Sequence, residues 1–178
     1  MNNKRINFIV KVGVFAAIAF VLQVIGSIMS IKVAGFLEVE ISDLPAMIIA
    51  FALGPVAGVA VEFIKNLLHC TMTSTGFVGE LANFVMNGCF VFVCGAVYKR
   101  KKTRANAVLA LTMATIVLVI VGMLANMYIM LPLYMPDADF ATKFKLVMYT
   151  IAPFNLVRGT VLSVITMLIY KKISGLVK

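Results

Sequence analysis

Most of the charge in this chain falls in the gaps between apolar stretches, and the purely basic gaps are distinct from those that hold acidic residues. Three segments are purely basic: Lys4, Arg5 and Lys11 near the start; Lys99, Arg100, Lys101, Lys102 and Arg104 in the middle; Lys171, Lys172 and Lys178 at the end. Glu38 and Glu40, and later Asp137 and Asp139, fall in other gaps. Basic loops stay on the cytoplasmic side of a membrane. If all three basic segments lie there, an even number of crossings must separate the first from the second. That parity limits the fold more than any single motif does.

A soluble chain of 178 residues cannot hide a composition that is 62% hydrophobic and only 13% charged, because much of its surface must meet water. Mean hydropathy is +1.06. The first apolar stretch, about Phe8 to Met29, is too long for a signal peptide and has no clear small-residue cleavage site, so we read it as a retained helix. The net charge of +9 would suggest nucleic acid in a soluble protein. Here cytoplasmic loops and anionic lipid account for it, and no nucleic acid partner is expected. Cys70, Cys89 and Cys94 form no CxxC pair and have no histidine cluster beside them, so they are expected to pack as small apolar side chains.

Four long spans are expected at about 8–30, 77–98, 105–131 and 146–170. The stretch from Ile41 to Leu68 is apolar but is broken at Gly54-Pro55. One helix there would put Lys99–Arg104 outside. Two helices satisfy the parity, since proline removes a helix donor and glycine permits a sharp turn. Each would hold about 11–14 residues, or roughly 16–21 Å, too little for a full bilayer core, so they should be tilted, shielded or partly re-entrant. The expected fold is an all-α integral membrane domain over residues 1–178, with six transmembrane helices and both termini cytoplasmic. Residues 31–42, 69–76 and 132–145 then lie outside.

Ionisable and amide groups inside a bilayer are costly unless paired or hydrated, so they mark candidate sites. Glu62, Lys65, Asn66 and His69 share one helix face. Glu80, Asn83 and Asn87 repeat that spacing, as do Met123, Asn126, Met127 and Met130. Asn155 and Arg158 share a face just after Pro153, whose ring frees a carbonyl one turn earlier. Structural roles compete with ligand contact at each. Glu62 and Lys65 can neutralise each other, Glu80 can serve the helix dipole, His69 can be interfacial, and methionines can be packing. Arg158 has no carboxylate on its own helix, which favours a ligand. Amides, a cation, methionines and aromatics together suit a flat, neutral or weakly anionic small molecule. In the first helix, Gly13 and Ala17, with Ala16 and Ala19 beside them, make a small-residue face that lets another helix approach.

The run Leu37-Glu-Val-Glu-Ile-Ser-Asp-Leu-Pro45, then Leu53-Gly-Pro-Val-Ala-Gly58, Glu62-Phe-Ile-Lys-Asn-Leu-Leu-His69 and Ser74-Thr-Gly-Phe-Val-Gly-Glu-Leu-Ala-Asn-Phe84 resembles the substrate-binding (S) component of energy-coupling factor transporters. Among these it is most similar to the riboflavin-specific members, and Asn155-Leu-Val-Arg158 supports that. The resemblance implies a six-helix fold with short, bent second and third helices. It implies capture of riboflavin from outside and docking on a transmembrane T component driven by two ATPases in a bacterial plasma membrane. It also implies that Gly13, Ala16 and Ala17 form the face toward the T component, where the family usually has two alanines. Carrying the family pattern over gives Glu38 or its neighbours, Asn126, Asn155 and Arg158 as ligand contacts. With Asn83 and Met127 from the polar faces above, these are the candidate substrate-binding residues. The basic position is often lysine in this group; arginine keeps the charge and changes the donor geometry.

Enzyme chemistry is not expected. The chain has one histidine and no nucleophile motif, and no catalytic residue, metal or cofactor is assigned. It has no G-x-x-x-x-G-K-[ST] loop, so ATP would be hydrolysed by partners. A different vitamin on the same scaffold and an autonomous facilitator are the rival readings.

Overall fold

The computed structural model describes residues 3–29, 32–33, 37–38, 41–72 and 77–177; the side chains of 32–38 and 173–177, and of Lys4 and Met29, lie outside the description. Helix α1 is Asn3–Met29 and starts several residues before the apolar stretch, because Lys4 and Arg5 continue its first turn. A two-residue antiparallel pair follows, β1 (Lys32–Val33) on β2 (Leu37–Glu38), which the sequence reading did not anticipate. Helices α2 (Leu44–Leu53) and α3 (Pro55–His69) come next, and then α4 (Val78–Arg100). Helix α5 runs through Arg104–Ala125, a π-helical turn at Asn126–Met130, and Leu131–Tyr134. Helix α6 likewise runs through Phe140–Leu146, a π turn at Val147–Ile151, and Ala152–Val177.

Four segments among the described residues are long and apolar enough to cross a membrane: Arg5–Ile28, Val78–Arg100, Arg104–Tyr134 and Phe140–Lys172. The stretch between the first two splits where expected. Gly54 adopts φ 104°, a left-handed backbone that favours glycine, and Pro55 opens α3 at the position where its missing N–H costs nothing. A Cβ at Gly54 would lie 3.8 Å from Lys99 Cδ, so this turn sits at the same end of the bundle as the basic segment that follows α4.

Helix α2 shows how so short an apolar helix survives. Its residues from Leu44 to Ala52 are all buried, and it is apolar on every side, the pattern of an interior helix. Helices α1, α3, α4 and α6 pack around it. The core therefore centres on Ala46, Met47, Ile49 and Phe51, with Phe90, Val91 and Leu118 from α4 and α5. At the basic end the core closes on an aromatic trio: Phe51 stacks on Tyr98 at 4.2 Å, and Tyr170 meets both edge-on. All three cysteines are free thiols, with Cys94 fully buried.

Candidate functional site

The two π turns position the site. Each ends one residue short of a proline: the N–H of Leu131 donates to the Asn126 carbonyl, and that of Ala152 donates to the Val147 carbonyl, in each case five residues back. Pro132 and Pro153 cannot donate, and their rings would strike the carbonyl four residues earlier. Widening the preceding turn relieves that clash. Such π turns recur at functional sites, and here they set Asn126 and Asn155 on neighbouring rods.

Asn126 and Asn155 are 2% and 0% exposed. Each carboxamide nitrogen donates to the carbonyl four residues back, at 2.8 Å to Gly122 and 3.0 Å to Ile151. Asn126 Nδ2 also lies 3.9 Å from Met86 Sδ on α4. Gly122 is what lets the two amides approach: a Cβ there would lie 2.7 Å from Asn155 Nδ2 and 3.2 Å from the Met86 methyl. With its NH2 group turned to the backbone, Asn155 leaves Oδ1 buried and without a hydrogen-bond donor among the described residues. Beside these amides stands an apolar wall of Leu131, Val147 and Ile151 with Met123, Met127, Met135, Leu146 and Phe154. Met127 thus lines the wall, while Asn83 stands one turn from Met86 and accepts from Asn87 Nδ2 at 3.0 Å.

A buried ionic chain lies on the other side of Asn155. Arg158 Nη2 reaches Asp43 Oδ2 at 2.6 Å, and Lys65 Nζ reaches Asp43 Oδ1 at 2.6 Å and Glu62 Oε2 at 2.7 Å. Asp43, Glu62 and Lys65 are wholly buried and Arg158 is 8% exposed. Glu62 and Lys65 do neutralise each other, as one of the sequence alternatives had it. The carboxylate for Arg158, missing from its own helix, comes from the N-terminus of α2. Sequence reasoning passed over Asp43 as a partner; the available signal was that Arg158 has no carboxylate on its own helix while Asp43 stands inside the broken apolar stretch. Glu80 and His69 join each other across the α3–α4 end, Oε1 to Nδ1 at 3.0 Å, so both are accounted for at the rim.

The remaining candidates divide. Glu38 belongs to β2, and its side chain lies outside the described residues. On α1, Gly13 and Ala17 face outward, and a Cβ at Gly13 would meet nothing within 4 Å. Ala16, at 1% exposed, turns inward and packs in the core with Ala19, since one residue is about 100° round the helix from Ala17.

A family model described as ECF transporter, substrate-specific component, matches residues 7–170. The riboflavin transporter RibU of Staphylococcus aureus is 34% identical over 180 residues, covering 99% of this chain and 93% of its own. The riboflavin transporter FmnP of Bacillus subtilis is 28% identical, covering 95% of this chain and 93% of its own. A solved structure of the S component of a bacterial ECF transporter superposes with a TM-score of 0.82 at 32% identity, covering 100% of this chain and 99% of that one. Family match, near full-length relatives and fold agree with the helical architecture described above: the chain belongs to the substrate-specific components of ECF transporters.

Proposed function

We propose that this chain is the riboflavin-binding S component of an ECF vitamin uptake transporter. The observation that carries the reading is the buried Oδ1 of Asn155, without a donor among the described residues, set beside Asn126 and against a methionine and phenylalanine wall. The flavin ring system is flat and polarizable, with N–H and carbonyl groups along one edge. Amides can read that edge while thioethers and rings cover its faces. In this reading Asn126, Asn155 and Arg158 bind the ligand, Met127 covers it, Asn83 borders it, and Glu38 or its neighbours contact it from the loop over residues 31–42. The near full-length likeness to riboflavin transporters supports the choice of ligand.

The chain crosses the membrane six times with both termini in the cytoplasm of a bacterium. Its basic segments, and the Gly54 turn beside Lys99, support that orientation. Riboflavin enters from outside, residues 31–42 close over it, and the loaded subunit reorients against a T component, using the Gly13–Ala17 face of α1. Two partner ATPases drive release, since this chain lacks a phosphate-binding loop.

Reconstitution tests this division of labour. Proteoliposomes holding the chain alone should bind riboflavin without equilibrating it across the bilayer. Accumulation should need the T component, the ATPases and ATP. Equilibration by the chain alone would make it a facilitator instead.

A further inference from the structure

Asp43 breaks a local rule. It occupies the N-cap of α2, where an aspartate ordinarily accepts from the backbone of the first turn, yet it makes no such bond. Its two oxygens go instead to Lys65 on α3 and Arg158 on α6, both at 2.6 Å. A residue that forgoes its local role for tertiary partners marks a place where another demand prevails. The positive end of the α2 dipole also favours the carboxylate there.

The arithmetic of the ionic chain sharpens the point. Glu62, Lys65, Asp43 and Arg158 carry two negative and two positive charges, all nearly or wholly buried. Lys65 is already matched by Glu62. Asp43 therefore supplies the balancing charge for Arg158, three residues from Asn155 on the same face of α6. An uncompensated guanidinium in this low-dielectric interior would attract an anion strongly, whereas a compensated one offers hydrogen bonds without net charge.

Resting on the riboflavin reading above, we propose that Asp43 is a positioning and specificity-determining residue: it holds and neutralises Arg158, so that the site favours an uncharged flavin over an anionic one. Asp43 touches no ligand in this account and acts through Arg158. A phosphate ester would bring charge into a site already balanced, and its desolvation would go uncompensated.

The test compares riboflavin with riboflavin 5′-phosphate by fluorescence quenching in the purified full chain, wild type against Asp43→Asn. The preference for riboflavin over its phosphate should fall by about tenfold or more in the variant, the scale of one unbalanced charge at an interface. A structural role alone would weaken both ligands in parallel, and that result, or an unchanged ratio in a folded variant, would overturn the proposal. The double variant Glu62→Gln/Lys65→Met removes the other two charges but keeps the Asp43–Arg158 pair, so it should retain the wild-type ratio. If Asp43→Asn does not accumulate, Asp43→Asn/Lys65→Met removes one acid and one base while taking the Asp43 carboxylate from Arg158, and the same shift is expected.

Phenylglyoxal labelling of Arg158, followed on its peptide by mass spectrometry, reads the pair without any ligand. It should be slow in wild type and faster in Asp43→Asn; equal rates would overturn the proposal. Wild-type protein that binds neither flavin would contradict the riboflavin reading, and the labelling rates would then decide the role of Asp43 alone.

Discussion

At the scale of single residues, the proposed site rests on two amides turned in the same sense. Their nitrogens are tied to backbone carbonyls, which leaves the Asn155 oxygen buried and without a donor among the described residues. Asn155→Ala is expected to weaken riboflavin binding by about 1–3 kcal/mol, the cost of leaving a ligand donor unpaired in a buried site. Titration of the purified variant by flavin fluorescence checks it, and unchanged affinity in folded protein would remove Asn155 from the site. Gly122→Ala probes the same amide from the other side, since its Cβ would lie 2.7 Å from Asn155 Nδ2. Overpacking of this kind costs about 1–3 kcal/mol. Because Asn155 is the group displaced, the loss should appear in riboflavin affinity as well as in thermal stability. Asn126, Asn155 and Arg158 were visible in the sequence because amides and a cation are conspicuous in apolar helices. Asp43 was not. Its partner lies 115 residues away, and only the fold brings the two together.

Among the elements, the short pair α2 and α3 tests the physics most directly. The break at Gly54-Pro55 was legible because charge parity demanded a turn and those two residues make one. What the sequence could not show was that α2 survives as a short helix by being wholly enclosed. Apolar residues on every side looked the same as lipid exposure. Gly54→Ala forces a left-handed backbone on a side chain and is expected to cost about 1–2 kcal/mol. A lowered melting temperature in detergent, with α-helical circular dichroism retained at low temperature, is the expected outcome. The π turns were half legible: Pro153 pointed to a freed carbonyl, but a widened turn is one of several ways a helix accommodates proline. The strand pair over 32–38 left no clear pattern, since two residues per strand are too few for alternation to register.

At the scale of the whole molecule, the proposed binding site lies between α5 and α6 and the proposed docking face on α1. Helix α1 buries only 22% of its most apolar window, and Gly13 and Ala17 lie on its open side. Among the described residues, nothing stands within 4 Å of a Cβ at position 13. Gly13→Leu is therefore expected to leave riboflavin affinity of the isolated subunit unchanged while abolishing ATP-driven uptake by the assembled transporter, because close helix approach needs small residues. Uptake at the wild-type rate would move the docking face elsewhere. The central claim, that the amides of α5 and α6 hold a flavin, is tested most directly by the colour of the protein itself. Purified in detergent from cells grown in rich medium, it should carry a yellow absorption band, released on denaturation at near one flavin per chain. No residue in this sequence can produce that band. A colourless protein that also leaves the fluorescence of added riboflavin unquenched would contradict the account and redirect the site to another ligand.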